Sequence, residues 1–185
     1  MNATLKTIIE RYSCRSYTDE PVAKEYLEQI AQAAVASPSA VNRQPWKIVF
    51  VTDKELLQEM EQEAVKALKN MGDSTTYDRI MSRGGTVFYN ATCMAFILSN
   101  PSESDYASMD CGIVAQNIAL AATSLDLGNV ICGMARLIFM GEKREYFSEK
   151  LGMTDGYEFG TSVLIGHTEQ KGQPHEVDQK KISFI

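Results

Sequence analysis

The chain reads as an α+β sandwich in which helices cover a central mixed sheet. Three observations lead there: four short runs rich in β-branched and aromatic residues, helical-period segments that outnumber them, and an alternation too irregular for successive βαβ units. A length of 185 residues with 44% hydrophobic content is enough for one domain with its own core. No repeat, low-complexity tract or linker divides it.

Thr4 to Arg11 predicts a short amphipathic helix. Val22 to Ala36 predicts a longer one, with Leu27, Ile30, Ala31, Ala34 and Val35 at helical spacing, and Ser37-Pro38 stops it. Lys47 to Val51 (KIVFV) is the first strand, after which Asp53 caps a charged helix running to about Asn70. Lys69 to Gly85 is polar and glycine-rich, and is expected to be a mobile excursion. Cys93 to Leu98 is the second strand and Ser99 to Asp105 a polar turn, followed by a helix from about Tyr106 to Leu125. Cys111 to Leu125 carries no charge, so this helix has no obvious solvent face; a second subunit buries it, or it is the central core helix. Leu127-Gly128 ends it. Val130 to Met134 predicts the third strand, Glu142 to Leu151 a helix, and Glu158 to Gly166 the fourth strand.

Composition removes several functions. A net charge of -6 lacks the cationic surplus that nucleic-acid binding needs, so any bound phosphate must be met by local groups. The first residues lack a signal-peptide apolar run, and no stretch of 18 apolar residues could cross a bilayer, so a cytoplasmic address with no membrane partner is expected. Cys14, Cys93, Cys111 and Cys132 show neither metal-ligand nor disulfide spacing, and no metal is expected. His167 and His175, the only histidines, have no nucleophile at a recognisable motif, which leaves hydrolysis unsupported. There is no GxGxxG, so a nicotinamide would come and go as a substrate.

Two segments carry candidate chemistry. Arg11-Tyr12-Ser13-Cys14-Arg15 offers two guanidinium groups and a hydroxyl suited to a phosphate, although Glu10 and Asp19 make surface ion pairs the plainer reading of those arginines. Ser37 to Trp46 (SPSAVNRQPW) is a loop of small, hydroxyl and amide side chains through which backbone could approach a flat heterocycle; its plain alternative is a helix-to-strand connection anchored by Trp46.

With these segments in this order, the chain resembles FMN-dependent nitroreductases. The resemblance rests on RYSCRSY at 11–17, SPSAVNRQPW at 37–46, Asp110-Cys111-Gly112 through Gln116-Asn117-Ile118 to Leu127-Gly128, and GMTDGYEFGTSVLIG at 152–166. It implies a three-layer sandwich, bound FMN, NAD(P)H as diffusible reductant, and a homodimer with flavin between subunits. Arg11 and Ser13 would meet the FMN phosphate or ribityl chain, with Tyr12 between them also among the cofactor residues. Arg15 would lie by the N1 and O2 edge, where a fixed cation stabilises the negative charge of the reduced ring. Pro38, Ser39, Ala40 and Asn42 would reach the flavin from the second subunit. Gly133 would set backbone N–H against N5 and O4, and Gly156 would lie near the ribityl chain. Lys180 or Lys181 would supply a second cation for the phosphate.

The resemblance implies no catalytic side chain, because protons can come from water, and Cys132 receives no role. A nitroaromatic, quinone or similar electron-poor acceptor would follow NAD(P)H over the same ring face by ping-pong turnover, in an open pocket rimmed by Lys69 to Gly85. Two other readings share the scaffold: reductive dehalogenation or flavin breakdown, and a non-enzymatic FMN-binding module.

Overall fold

The structure is a computed structural model that describes residues 1–82 and 84–185. Asn2 opens α1 (Ala3–Glu10) by accepting the Leu5 amide at 2.9 Å, and α2 (Lys24–Val35) follows. β1 (Trp46–Val51) leads into α3 (Lys54–Asn70), whose N-cap is Asp53, accepting the Leu56 amide at 2.7 Å.

Lys69 to Gly85 is not a structureless excursion. Asp73 accepts the Thr76 amide at 3.1 Å and caps α4 (Ser74–Met81), which buries Ile80 and rests Tyr77 and Met81 on the core. The apolar stripe of α4 is only these three residues, so its polar majority masked the helical period. Arg83, in the same stretch, lies outside the described residues.

β2 (Cys93–Ser99), α5 (Ala107–Ser124), β3 (Gly128–Ile131), α6 (Arg144–Lys150) and β4 (Glu158–Gly166) complete the layers. The strand order is β1-β2-β4-β3, and every neighbouring pair is antiparallel. The α+β sandwich is as expected, but the expected mixed sheet is corrected. Two helices join β1 to β2, one out and one back, so the chain re-enters the sheet at the end it left. The single helix α5 joins two strands that do point the same way, β2 and β3, but β4 lies between them and restores the alternation. The third strand also ends early. At Cys132 the amide turns to the Ser162 carbonyl at 2.8 Å, and Gly133–Phe139 winds into 3₁₀ turns that bury Ala135, Leu137 and Ile138.

Side chains alternate across the sheet into two cores. Met94, Phe96, Leu98 and Leu164 meet α3, α6 and the 3₁₀ segment on one face; Ala95, Ile97, Val163 and Ile165 meet α2 and α5 on the other. Both faces are covered, which is why β2 is buried along its whole length. The uncharged stretch of α5 from Cys111 onward is a central core element, burying Val114, Ala115, Ile118, Ala119 and Ala122 between the sheet and α2. Its first turns are less covered: Met109 is 64% exposed, while buried Asp110 has one carboxylate oxygen without a partner among the described residues.

Two carboxylates fix the α3–β2 connection. Glu61 accepts the amides of Val87 and Phe88 at 2.7 and 2.8 Å; burial raises its carboxyl pKa, partly opposed by these donors. Replacing Glu61 by Ala strands both amides in nearly dry surroundings and is expected to lower unfolding free energy by about 2–4 kcal/mol. Urea denaturation at matched protein concentration checks this, and a loss under about 1 kcal/mol would mean that water substitutes for the carboxylate. Asp73→Ala should speed amide exchange across α4 severalfold while leaving α3 unchanged. The Thr76 hydroxyl and amide hold the Asp73 carboxyl below its ordinary range. The cap therefore contributes fully above the unfolded-state value and fades as pH falls through the folded one.

Candidate functional site

After α1 the chain is extended, and it is fastened to the exposed edge of the sheet. The Cys14 amide donates to the Asn129 carbonyl of β3 at 2.9 Å, and the Thr18 amide to the His167 carbonyl, also at 2.9 Å. The approach is close: a Cβ at Gly128 would lie 2.8 Å from the Cys14 sulfur, so glycine is required there. Tyr17, half-buried beside this junction, donates its hydroxyl to the Cys14 carbonyl at 3.2 Å, and its desolvation raises its pKa. It lies inside the RYSCRSY stretch but received no role from sequence.

Arg11 and Arg15 project from this fixed segment without acidic partners among the described residues. Glu10 pairs with Lys6, and Glu20 with His167. The ion-pair reading of the arginines is therefore not what the fold contains. Arg15 is exposed, and its Nη1 donates only to the Ser13 carbonyl, at 3.3 Å. Two guanidinium groups four residues apart, without ion pairs among the described residues, stand out on a chain of net charge -6.

The loop 37–46 is held in a strained shape. Asn117 of α5 donates to the Ser37 hydroxyl at 2.9 Å, the Gln44 amide donates to the Ser39 hydroxyl at 2.9 Å, and the Gln44 side chain donates to Asn42 at 3.0 Å. Between these ties Val41, Asn42 and Gln44 have φ of 47°, 58° and 51°. Asparagine adopts the left-handed region readily, but β-branched Val41 does so only at a cost, and it is 85% exposed. The loop thus displays Pro38, Val41 and Asn42 outward, which a plain connection would not require.

These two segments are not brought together within one chain. The loop enters β1 at Trp46, which pairs with Ser99, and Ser99 with Glu158. The arginine segment sits by Gly128 and His167, at the opposite end of β4. The nine residues of β4 span roughly 25 Å. Gly156 groups with the loop, since a Cβ on it would meet Asn100 and Ser102, and its φ of 86° favours glycine. Gly133 stands beyond the end of β3, exposed, where a Cβ would touch none of the described residues. Lys180 and Lys181 lie exposed in a turn capped by Asp178, on the tail that follows β4.

A cavity of about 580 Å³ lies elsewhere. Glu61, Phe88, Ala91, Met94 and Leu164 line it, and it includes none of the cofactor residues expected from sequence. A smaller one of about 270 Å³ touches the loop at Ala40, Val41 and Arg43. Neither cavity is lined by Arg11 or Arg15. Beside Gly133, Cys132 is buried and its thiol is pushed up to about 11, leaving it protonated and unreactive near neutral pH. No helix among the described residues is long and apolar enough to cross a membrane.

Similarity to known proteins identifies the family. The chain is 48% identical to a nitroreductase of Desulfitobacterium hafniense crystallised with bound FMN, with a TM-score of 0.96 over 100% of this chain and 99% of that one. It is 28% identical to the FMN reductase [NAD(P)H] of Bacillus subtilis, covering 95% of this chain and 74% of that protein. It is 30% identical to the NADPH-flavin oxidoreductase of Vibrio harveyi, over 92% and 68% respectively. The nitroreductase family pattern matches residues 8–167, so this chain belongs to the nitroreductase family.

Proposed function

We propose that the chain is an FMN-dependent NAD(P)H oxidoreductase, residues 1–185 forming one FMN-binding domain that works as a homodimer. The observation that carries this reading is the separation of the two half-sites: unpaired arginines at one end of β4 and a strained loop of small residues at the other. One ligand can meet both only if the loop comes from a second copy. FMN suits the pair, having an anionic tail for the arginines and a flat ring for the small-residue loop. The FMN-bound relative supports the choice.

In this reading Arg11 and Ser13 hold the phosphate and ribityl end, flanked by Tyr12, and Lys180 or Lys181 adds a cation. Arg15 faces the N1 and O2 edge, Gly133 leaves backbone N–H open toward the ring, and Pro38, Ser39, Ala40 and Asn42 approach from the second copy. Gly156, which shares their end of the sheet, approaches with them. When bound, FMN would supply two-electron redox chemistry, with NAD(P)H as diffusible reductant and a nitroaromatic, quinone or similar electron-poor compound as acceptor in a ping-pong sequence. The chain's own part is to bind, orient and place charge. Cys132 takes no part, because its thiol stays protonated.

Purified protein titrated with FMN should bind one flavin per chain and elute as a dimer by light scattering, and anaerobic NADH or NADPH should bleach the bound chromophore. A stable monomer that binds FMN would overturn the two-chain site. Arg15→Ala should lower the two-electron midpoint potential of bound flavin by about 30 mV or more, equivalent to a tenfold change in equilibrium. An unchanged potential would remove Arg15 from the ring edge.

A further inference from the structure

We propose that Thr168 to Gly172, the strap that follows β4, is a positioning device for Arg15, with Gln170 as its key residue. The inference rests on the reading of Arg15 given above. The strap touches the arginine segment at every residue from Tyr12 to Ser16 except Ser13. Gln170 Oε1 accepts the Arg15 amide at 3.1 Å. Thr168 Oγ1 donates to the Ser16 carbonyl at 2.6 Å and accepts the Gln170 amide at 3.0 Å. The one proton of the Cys14 thiol lies among the Ser16 carbonyl at 3.2 Å, Thr168 Oγ1 at 3.4 Å and Gln170 Oε1 at 3.6 Å.

Tyr12 closes the far end. Its hydroxyl donates to the Gln170 carbonyl at 2.5 Å, and its ring lies so close to Gly172 that a Cβ there would stand 1.9 Å from a ring carbon.

Extended backbone sends successive side chains to opposite sides. Tyr12 and Cys14 turn to the strap, Cys14 being fully buried, while Arg15 stays exposed on the other side. The strap thus grips every second side chain and the backbone flanking Arg15, and leaves the cations free. An arginine on a loose loop would spread its charge over many positions. On a backbone fixed at its own amide and at the next carbonyl, the root of the Arg15 side chain is held before any ligand arrives, which narrows the region its guanidinium can reach. Coulomb energy depends on distance, so the charge felt at a ring edge depends on that confinement. Gln170 acts through Arg15 and has no contact of its own to make with flavin.

The test uses Gln170→Leu and Thr168→Val, with Thr168→Ser as the conservative control, in the full-length protein. Without flavin, the Arg15 amide should exchange on the order of tenfold faster in Gln170→Leu, the loss of one net hydrogen bond. Unchanged exchange overturns the strap whatever the protein binds. In the FMN-loaded protein, Gln170→Leu and Thr168→Val should shift the flavin midpoint potential in the same direction as Arg15→Ala and by less, while Thr168→Ser matches wild type. In an Arg15→Ala background, Gln170→Leu should add no further shift, because it works only through that cation. An equal shift in both backgrounds, or none where Arg15→Ala alone gives one, overturns the positioning role. If Arg15→Ala leaves the potential unchanged although Arg15 exchange responds to Gln170→Leu, the failure belongs to the placement of Arg15 at the ring edge, and the redox role falls with it.

Discussion

Everything in the proposed site depends on β4, a strand paired with β2 along its length and with β3 over its last residues, Val163–Gly166. Its first residues stand near the small-residue loop, and its last residues run directly into the strap that holds the arginine segment. The distance between the proposed half-sites is thus set by a strand that cannot slide without breaking its ladder with β2. In the proposed reading, assembly with a copy of itself is the simplest way for the two halves to face one ligand. The start of α5 is incompletely covered: Met109 is exposed, and one oxygen of buried Asp110 has no partner among the described residues.

Much of the fold was legible because local signals and tertiary needs agreed. Asp53 caps α3 where its sequence position implies, and Glu158 to Gly166 is a strand from end to end, paired with β2 and, over Val163–Gly166, also with β3. The errors have physical causes. The polar surface of α4 outweighed a three-residue buried stripe. The Val130–Met134 run has strand composition, but Leu137 and Ile138 are buried only if the chain coils after Ile131. Strand direction is not written in any strand; it follows from how many helices lie between strands and from the insertion of β4 between β2 and β3.

The proposed site was read in a different way. Arg11, Ser13, Arg15 and the 37–46 loop stood out as residue types matched to phosphate and to a flat ring; in the fold the arginines have no ion pairs among the described residues and the loop is strained. Local spacing could not show that the two groups are at opposite ends of one sheet. Nor could it show Gln170 and Thr168, whose contacts lie about 150 residues back along the chain. A glutamine and a threonine in a polar tail carry no motif, and their importance comes from the backbone they reach.

The burial of the cysteines has a consequence for durability. Moving electron pairs in air invites peroxide, and peroxide attacks thiolates that solvent can reach. All four cysteines are free and buried; Cys14 is sealed beneath the strap, and Cys132, next to Gly133, remains a thiol because its surroundings are apolar. The packing that completes the two cores thereby also shields the sulfur nearest the proposed chemistry from sulfenic acid formation, without a dedicated repair partner.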